Sequence, residues 1–178
     1  MLIRQVKNAQ RVGHLITRED HDKKLALITD KKITKEQLRN NTGRVYFLTV
    51  DGVIEKIGGS QSKGGIQATI AAYLAGFSKG MSPRSYCGWN FCRKNILAGK
   101  KVEFYFILAP MTTARIPSMS TWKEVEIATD FHQIETACVE EYKSKEGKFP
   151  YLNMQESGKR WIDTGLLEGY PGIIDTKK

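Results

Sequence analysis

Between residues 56 and 102 the sequence has no aspartate and no glutamate, although the same 47 positions hold eight lysines and arginines. A solvated surface normally mixes both signs, so this absence argues for a partner that is itself an anion. No apolar run approaches the roughly 18 residues that a membrane helix needs. The start, MLIRQVKNAQRVGH, also lacks a secretion-type apolar segment, and a soluble, cytoplasmic protein is expected. Three cysteines, Cys87, Cys92 and Cys138, make no C-x-x-C pair, which argues against a disulfide framework or a four-ligand zinc site. Reduced, buried thiols are expected instead. There is no repeat and no low-complexity segment. What remains, 40% apolar and 26% charged residues over 178 positions, suffices for one ordinary domain.

The formal net charge of +9 is unevenly spread. Residues 1–44 hold eleven basic and five acidic residues, whereas 103–178 hold nine basic and twelve acidic. In the acid-free stretch, Lys63, Lys79, Arg84, Arg93, Lys94, Lys100 and Lys101 are interleaved with Tyr86, Trp89 and Phe91. Phosphate contacts come largely from such side chains. Arg84, Arg93, Lys94, Asn90 and Gln67 are also of the types that read base edges in the major groove. Double-stranded DNA is the expected partner, with no membrane and no nucleotide cofactor.

Residues 1–42 read as a basic extension with a short helix near Thr34–Arg39, where Thr34 and Gln37 form a capping box. Arg44–Val50 (RVYFLTV) and Val53–Ile57 (VIEKI) are β-rich runs around Asp51-Gly52, predicting a hairpin that ends at Gly58 and Gly59. Ile66, Ile70, Tyr73, Leu74 and Phe77 recur at helical spacing, with Gly76 and Gly80 as stops. A second helix is predicted over Pro83–Leu97, with proline in its first turn and Gly99 beyond its end. Lys101–Ala109 (KVEFYFILA) reads as a buried strand. The stripe Phe131, Ile134, Cys138, Tyr142 predicts a last helix, with Thr129 as cap and Gly147 and Pro150 as stops. The stretches 109–121 and 156–172 read as turn-rich. The expected fold is α+β: a small three-stranded antiparallel sheet flanked by helices, in the order β-β-α-α-β-α. The core spans 43–155 with a basic helical insertion at about 76–100, and 156–178 form a C-terminal extension.

This order of motifs resembles the GIY-YIG nuclease superfamily. Val45-Tyr46 lies in the first strand and Lys56-Ile57-Gly58 at the end of the second. The helix carrying Tyr73, the strand KVEFYFIL, the helix DFHQIETACVEEY with Glu135, and the segment Pro150-Tyr151-Leu152-Asn153 follow in order, covering roughly residues 43–155. Lys56 stands where most of the family has tyrosine, a substitution similar to that of a few small type II restriction endonucleases of this class. The sequence departs from the pattern at Thr69, where the family carries an arginine for the scissile phosphate. No arginine lies between Ile57 and Arg84. The role is expected to pass to Arg84, at a helix start whose amides also suit a phosphate, with Arg93, Lys63 or loss of the role as the alternatives.

The resemblance implies a metal-dependent DNA endonuclease, a site-specific type II restriction enzyme acting as a homodimer on a symmetric site. Tyr46 would take the proton of the attacking water with Lys56 beside it, and Tyr73 and Arg84 would complete the catalytic set. Glu135 would hold one Mg²⁺, for which Mn²⁺ can substitute. Two other readings stand beside this one: a phage or mobile-element nuclease of loose specificity, and a catalytically inactive DNA-binding module. By residue type alone Tyr73 serves packing as readily as catalysis, and His14, His21 and His132 read as structural or exposed.

Hairpin register tests whether Tyr46 and Lys56 can share a site. A two-residue type I′ loop at Asp51-Gly52 would set Val50 against Val53 and place Tyr46 and Lys56 on opposite faces. A three-residue loop, Val50-Asp51-Gly52 with Gly52 left-handed, would set Tyr46 directly against Lys56. The three-residue loop is expected.

Overall fold

The computed structural model describes residues 1–19, 21–76, 81–158 and 160–170, without side chains at 21–23 and 162. The side chain of His21, and the sites expected at Phe77, Lys79 and Gly80, lie outside the described residues. The central sheet has five antiparallel strands, ordered β2 (His21–Thr29), β1 (Gln10–Arg18), β5 (Val102–Leu108), β3 (Arg44–Val50), β4 (Val53–Ser60). All seven residues of β3 are buried, as its β-branched and aromatic run requires of a strand covered on both faces. Tyr46, Leu48 and Val50 join Phe104 and Phe106 on one face. They pack there against α2 (Gly65–Leu74) and α3 (Pro83–Leu97) through Ile66, Ile70, Cys87 and Cys92. Val45, Phe47, Ile54 and Ile57 occupy the other face with Val139 and Tyr142 of α4 (Phe131–Glu146). Cys87, Cys92 and Cys138 are free, and burial pushes the Cys87 thiol up to about 11 and Cys92 further still.

The α+β class holds, but the expected three-stranded sheet is corrected to five strands. In β1 the buried Val12 and Leu15 are three apart because the register against β5 shifts between Arg11 and Gly13, which breaks the alternation that marks a strand. A Cβ at Gly13 would lie 2.1 Å from the Ile28 carbonyl oxygen, so only glycine permits the approach of β2 there. β2 is an edge strand whose lysines give its sequence a loop-like appearance. The stretch read as turn-rich at 109–121 contains β6 (Met111–Pro117), which pairs with β7 (Trp122–Ala128) in a separate two-stranded hairpin.

The helical expectations at Thr34 and Pro83 hold. α1 (Lys35–Arg39) has the Thr34–Gln37 capping box, and α3 runs from Pro83 to Leu97. The cap of α4 is Asp130, whose side chain accepts from the His132 amide, in place of the expected Thr129. A four-residue helix, α5 (Met154–Ser157), follows Asn153.

The expected three-residue hairpin loop does not form. Val50 opposes Val53, and Asp51 and Gly52 both have positive φ, 49° and 79°, which makes a two-residue type I′ turn. The turn is tied to the start of β5: Asp51 Oδ1 accepts from the Lys101 amide, and the Asp51 amide donates to the Lys101 carbonyl, each at 2.9 Å. The compensating irregularity lies further along. Thr49 opposes Ile54 but Leu48 opposes Lys56, leaving Glu55 as the extra residue of a β-bulge. Ile54 and Ile57 therefore share a face although three residues apart, and Lys56 turns to the face of Tyr46. Gly58 and Gly59, expected to end the strand, lie inside β4.

Gly52 has open space where a Cβ would go, so only its backbone conformation demands glycine. Gly52→Ala is expected to destabilise the fold by about 1 kcal/mol without changing the site, as measured by urea unfolding.

Candidate functional site

The site forms along the outer part of β4, approached from both sheet faces. Tyr46 opposes Gly58, and a Cβ on Gly58 would lie 2.5 Å from Tyr46 Cζ, so the ring occupies the space that glycine leaves. From the other face, Glu135 of α4 reaches Gly59, where a Cβ would lie 2.3 Å from Glu135 Oε2. The two glycines thus bring a tyrosine and a glutamate to adjacent positions of one strand. Lys56, on the Tyr46 face, is 6% exposed and has no hydrogen-bond or ion-pair partner among the described residues. A lysine removed almost wholly from water without a protein partner is costly to the fold and well suited to an incoming anion.

Tyr73 of α2 lies one layer behind, its hydroxyl 3.3 Å from that of Tyr46 and its ring edge-on to both Tyr46 and Phe104. Gly88 of α3 admits this ring, since a Cβ there would be 2.9 Å from it. Thr69, where the resemblance expects arginine, pairs its hydroxyl with Ser60 Oγ at 2.8 Å. Arg84, exposed in the first turn of α3, acts electrostatically on Tyr46, Lys56 and Tyr73 together. The structure thereby brings Tyr46, Lys56, Tyr73, Arg84 and Glu135 around one place.

Burial pushes the Tyr46 phenol above its ordinary range, opposed by the Tyr73 hydrogen bond and by Arg84. Burial also lowers the Lys56 ammonium; Glu156 is the strongest opposing influence, Arg84 adds to the lowering, and Glu135 opposes it. Tyr73 is raised well above the phenol range, first by desolvation and then by Tyr46.

The remaining support comes from the segment after α4. The buried Asn153 side chain accepts from the Ile57 amide and donates to the Ile57 carbonyl, both at 2.9 Å, in the manner of a neighbouring strand. It also donates to Glu156 Oε1 at 3.2 Å. Glu135 and Glu156 together line a cavity of about 450 Å³ with Thr136, Val139, Glu140 and Lys143. Glu156 was not singled out in the sequence; its spacing of three from Asn153 across a helix start was the available signal.

Of the residues expected to meet DNA, Lys63, Gln67, Lys94, Lys100 and Lys101 are exposed. Lys94 lies 3.3 Å from Glu168, and Lys101 lies 2.9 Å from Glu103. Arg93 sits over the Trp89 ring at 6.0 Å. Asn90 is corrected: it is 5% exposed and its amide donates to the Leu166 carbonyl, so it serves the core and reads no base. His132 is exposed, with Nδ1 3.8 Å from Glu135 Oε2. No group of three or more carboxylate, histidine or cysteine ligands occurs among the described residues. A single carboxylate beside the glycine gap at Gly59 fits a hard cation that keeps most of its water shell.

Lys56 has a proton affinity below that of a free lysine, so its charged form opposes folding at neutral pH, and the penalty fades as pH rises toward 10.5. Lys56→Met is therefore expected to be more stable than the parent at pH 7, by on the order of 1 kcal/mol, with the difference closing near pH 10. Urea unfolding at several pH values measures this, and a variant less stable throughout the range would refute it.

No protein-family profile and no curated protein sequence matches this chain. Among solved structures, a mutant of bacteriophage T4 EndoII is similar at a TM-score of 0.55 and 11% identity, over 86% of this chain and 98% of that one. Restriction endonuclease HPY188I in complex with product DNA is matched at a TM-score of 0.45 and 21% identity, over 81% of this chain and 79% of that one. The fold of this chain is thus one that bacteriophage T4 EndoII shares.

Proposed function

We propose that this chain is a divalent-metal-dependent endonuclease of the GIY-YIG type, hydrolysing phosphodiester bonds of double-stranded DNA. Of the specific forms, a site-specific type II restriction enzyme acting as a homodimer fits a small chain with one site, because two copies cut the two strands of a symmetric sequence. The carrying observation is the convergence on β4: Tyr46 and Lys56 from one face, Glu135 from the other, through the gaps left by Gly58 and Gly59. The fold shared with EndoII supports the same reading.

In the reaction, water oxygen forms a bond to phosphorus as the bond from phosphorus to the leaving deoxyribose oxygen breaks. The water's proton passes to Tyr46, with Lys56 two residues along the facing strand from Gly58, on the same side of the sheet. Lys56, buried and unpartnered, offers its donors to the developing charge in a site of low dielectric. Arg84 takes the phosphate-orienting role that the hydroxyl of Thr69 cannot fill. Glu135 would hold Mg²⁺ or Mn²⁺, which when bound supplies charge neutralisation at the phosphate and the leaving oxygen. The exposed lysines of the acid-free stretch bind the flanking backbone.

Plasmid DNA incubated with the protein and Mg²⁺ is expected to be cut, giving discrete fragments if the enzyme is site-specific. The rate is expected to rise with pH on the alkaline side of neutrality, because the Tyr46 phenol, which burial raises, must lose its proton before it can accept the water's. Glu135→Ala is expected to cut at least about a hundredfold more slowly, and Arg84→Ala about a hundredfold, both still binding DNA. Salt-sensitive binding without cleavage in Mg²⁺ or Mn²⁺ would overturn the enzyme and leave a DNA-binding module.

A further inference from the structure

The start of α2 carries hydrogen-bond donors that the rest of the chain leaves unused. The loop that leads into it, residues 61–64 (QSKG), lies just past Gly58 and Gly59 of the candidate site. Gly64, at the helix cap, has no side chain to satisfy the first amides, and no acidic residue stands in the first turn. The Gly65 amide donates to the Ser62 carbonyl at 2.9 Å, but the amides of Ile66 and Gln67 have no acceptor among the described residues. Uncapped amides at the positive end of a helix dipole suit an anion.

A second, independent feature lies against the same loop. Arg44 of β3 is fully buried, yet no carboxylate pairs with it among the described residues. Its Nε and Nη2 both donate to the Thr42 carbonyl, at 3.0 and 2.6 Å. The other Nη2 hydrogen points to the Ser62 carbonyl at 3.5 Å, the limit of a hydrogen bond. In a planar guanidinium that hydrogen runs parallel to one on Nη1, so Nη1 also faces the loop at the start of α2. Nη1 is buried and has no partner among the described residues. A buried cation whose charge and donors the protein leaves unanswered is costly to the fold. Arg44 shares a sheet face with Tyr46 and opposes Ser60, as Tyr46 opposes Gly58. This end of the sheet is therefore about 7 Å along β3 from Tyr46.

We propose that the start of α2 binds a flanking phosphate of the DNA backbone, through the Ile66 and Gln67 amides and the exposed Lys63 ammonium, with the buried Arg44 guanidinium against its loop. The proposal rests on the nuclease reading for the source of the phosphate, but not for the binding of an anion. Phosphate oxygens accept from the amides and from Lys63, and their charge answers that of Arg44. The way in passes Lys63, Gly64 and Gln67, all of which are exposed. Thr69, one turn into the helix, keeps its hydroxyl on Ser60 and leaves the first amides open.

The test titrates full-length ¹⁵N-labelled protein with inorganic phosphate at constant ionic strength, with chloride making up the balance. Saturable shifts are expected at the Ile66 and Gln67 amides and at Arg44 Nε, and the melting temperature is expected to rise with phosphate. Gln67→Glu puts a carboxylate in the first turn of α2, where the helix dipole favours it, so the fold is retained while phosphate binding weakens about tenfold. Lys63→Ala is expected to weaken it about fivefold. These exposed positions carry the test because substitution of the buried Arg44 endangers the fold itself. A short DNA duplex without divalent metal is expected to shift the same amides and to compete with phosphate. Absence of saturable phosphate shifts there, or a Gln67→Glu variant that binds like the parent, overturns the site. Phosphate binding at amides that the duplex leaves unmoved overturns the assignment to DNA. A protein that binds both there but cuts no DNA sinks the nuclease reading alone.

Discussion

A single extra residue in β4, Glu55, governs the geometry of everything downstream of it. The type I′ turn at Asp51-Gly52 starts the hairpin in a register that, continued regularly, would put Lys56 opposite Phe47, on the α4 face with Ile54 and Val139. A lysine there would be expelled or would unpair the helix. The bulge rotates the strand by one side chain, so that Ile54 and Ile57 both enter the α4 layer and Lys56 passes to the side of Tyr46. The bulge is secured from outside the sheet, where the Leu152 amide donates to the Glu55 carbonyl and Asn153 brackets Ile57. A local irregularity is therefore stabilised by a segment about a hundred residues later in the chain.

The site is assembled against the preferences of a stable core. Two glycines interrupt a strand that would be better filled with β-branched residues, a lysine is buried without a counter-ion in contact, and a phenol is largely removed from water. The rest of the molecule offsets these costs. β3 is buried along its length, β5 carries Phe104 and Phe106 beneath Tyr46, and α2 and α4 close the two faces. Tyr46 and Lys56 lie on one face of this edge strand and Glu135 approaches it from the other.

Much of this was legible from residue order. Thr34 with Gln37, Pro83 at a helix start and the run VEFYFIL announce their elements because capping, proline geometry and β-branched or aromatic clustering are local. Motif order singled out Tyr46, Lys56 and Glu135, which the fold brings to β4 from its two faces. β1 and β2 were not, because the irregularity near Val12 hides one alternation and edge lysines mask the other. Asn90 looked like a base reader because a polar residue on a basic helix carries no mark of which way it faces. Its partner, Leu166, is far away in sequence.

What the sequence determined by itself is the inventory: an acid-free basic stretch, a hairpin at Asp51-Gly52, and the chain positions of a tyrosine, a lysine and a glutamate with related chemistry. Tertiary structure decided how they meet. It placed the bulge at Glu55 and not in the turn, paired Thr69 with Ser60, and brought Asn153 and Glu156 from beyond α4 against β4. The reason is physical: turn chemistry and charge are properties of neighbours in the chain. The face a strand residue occupies, and the burial that tunes its proton affinity, depend on every element packed against it.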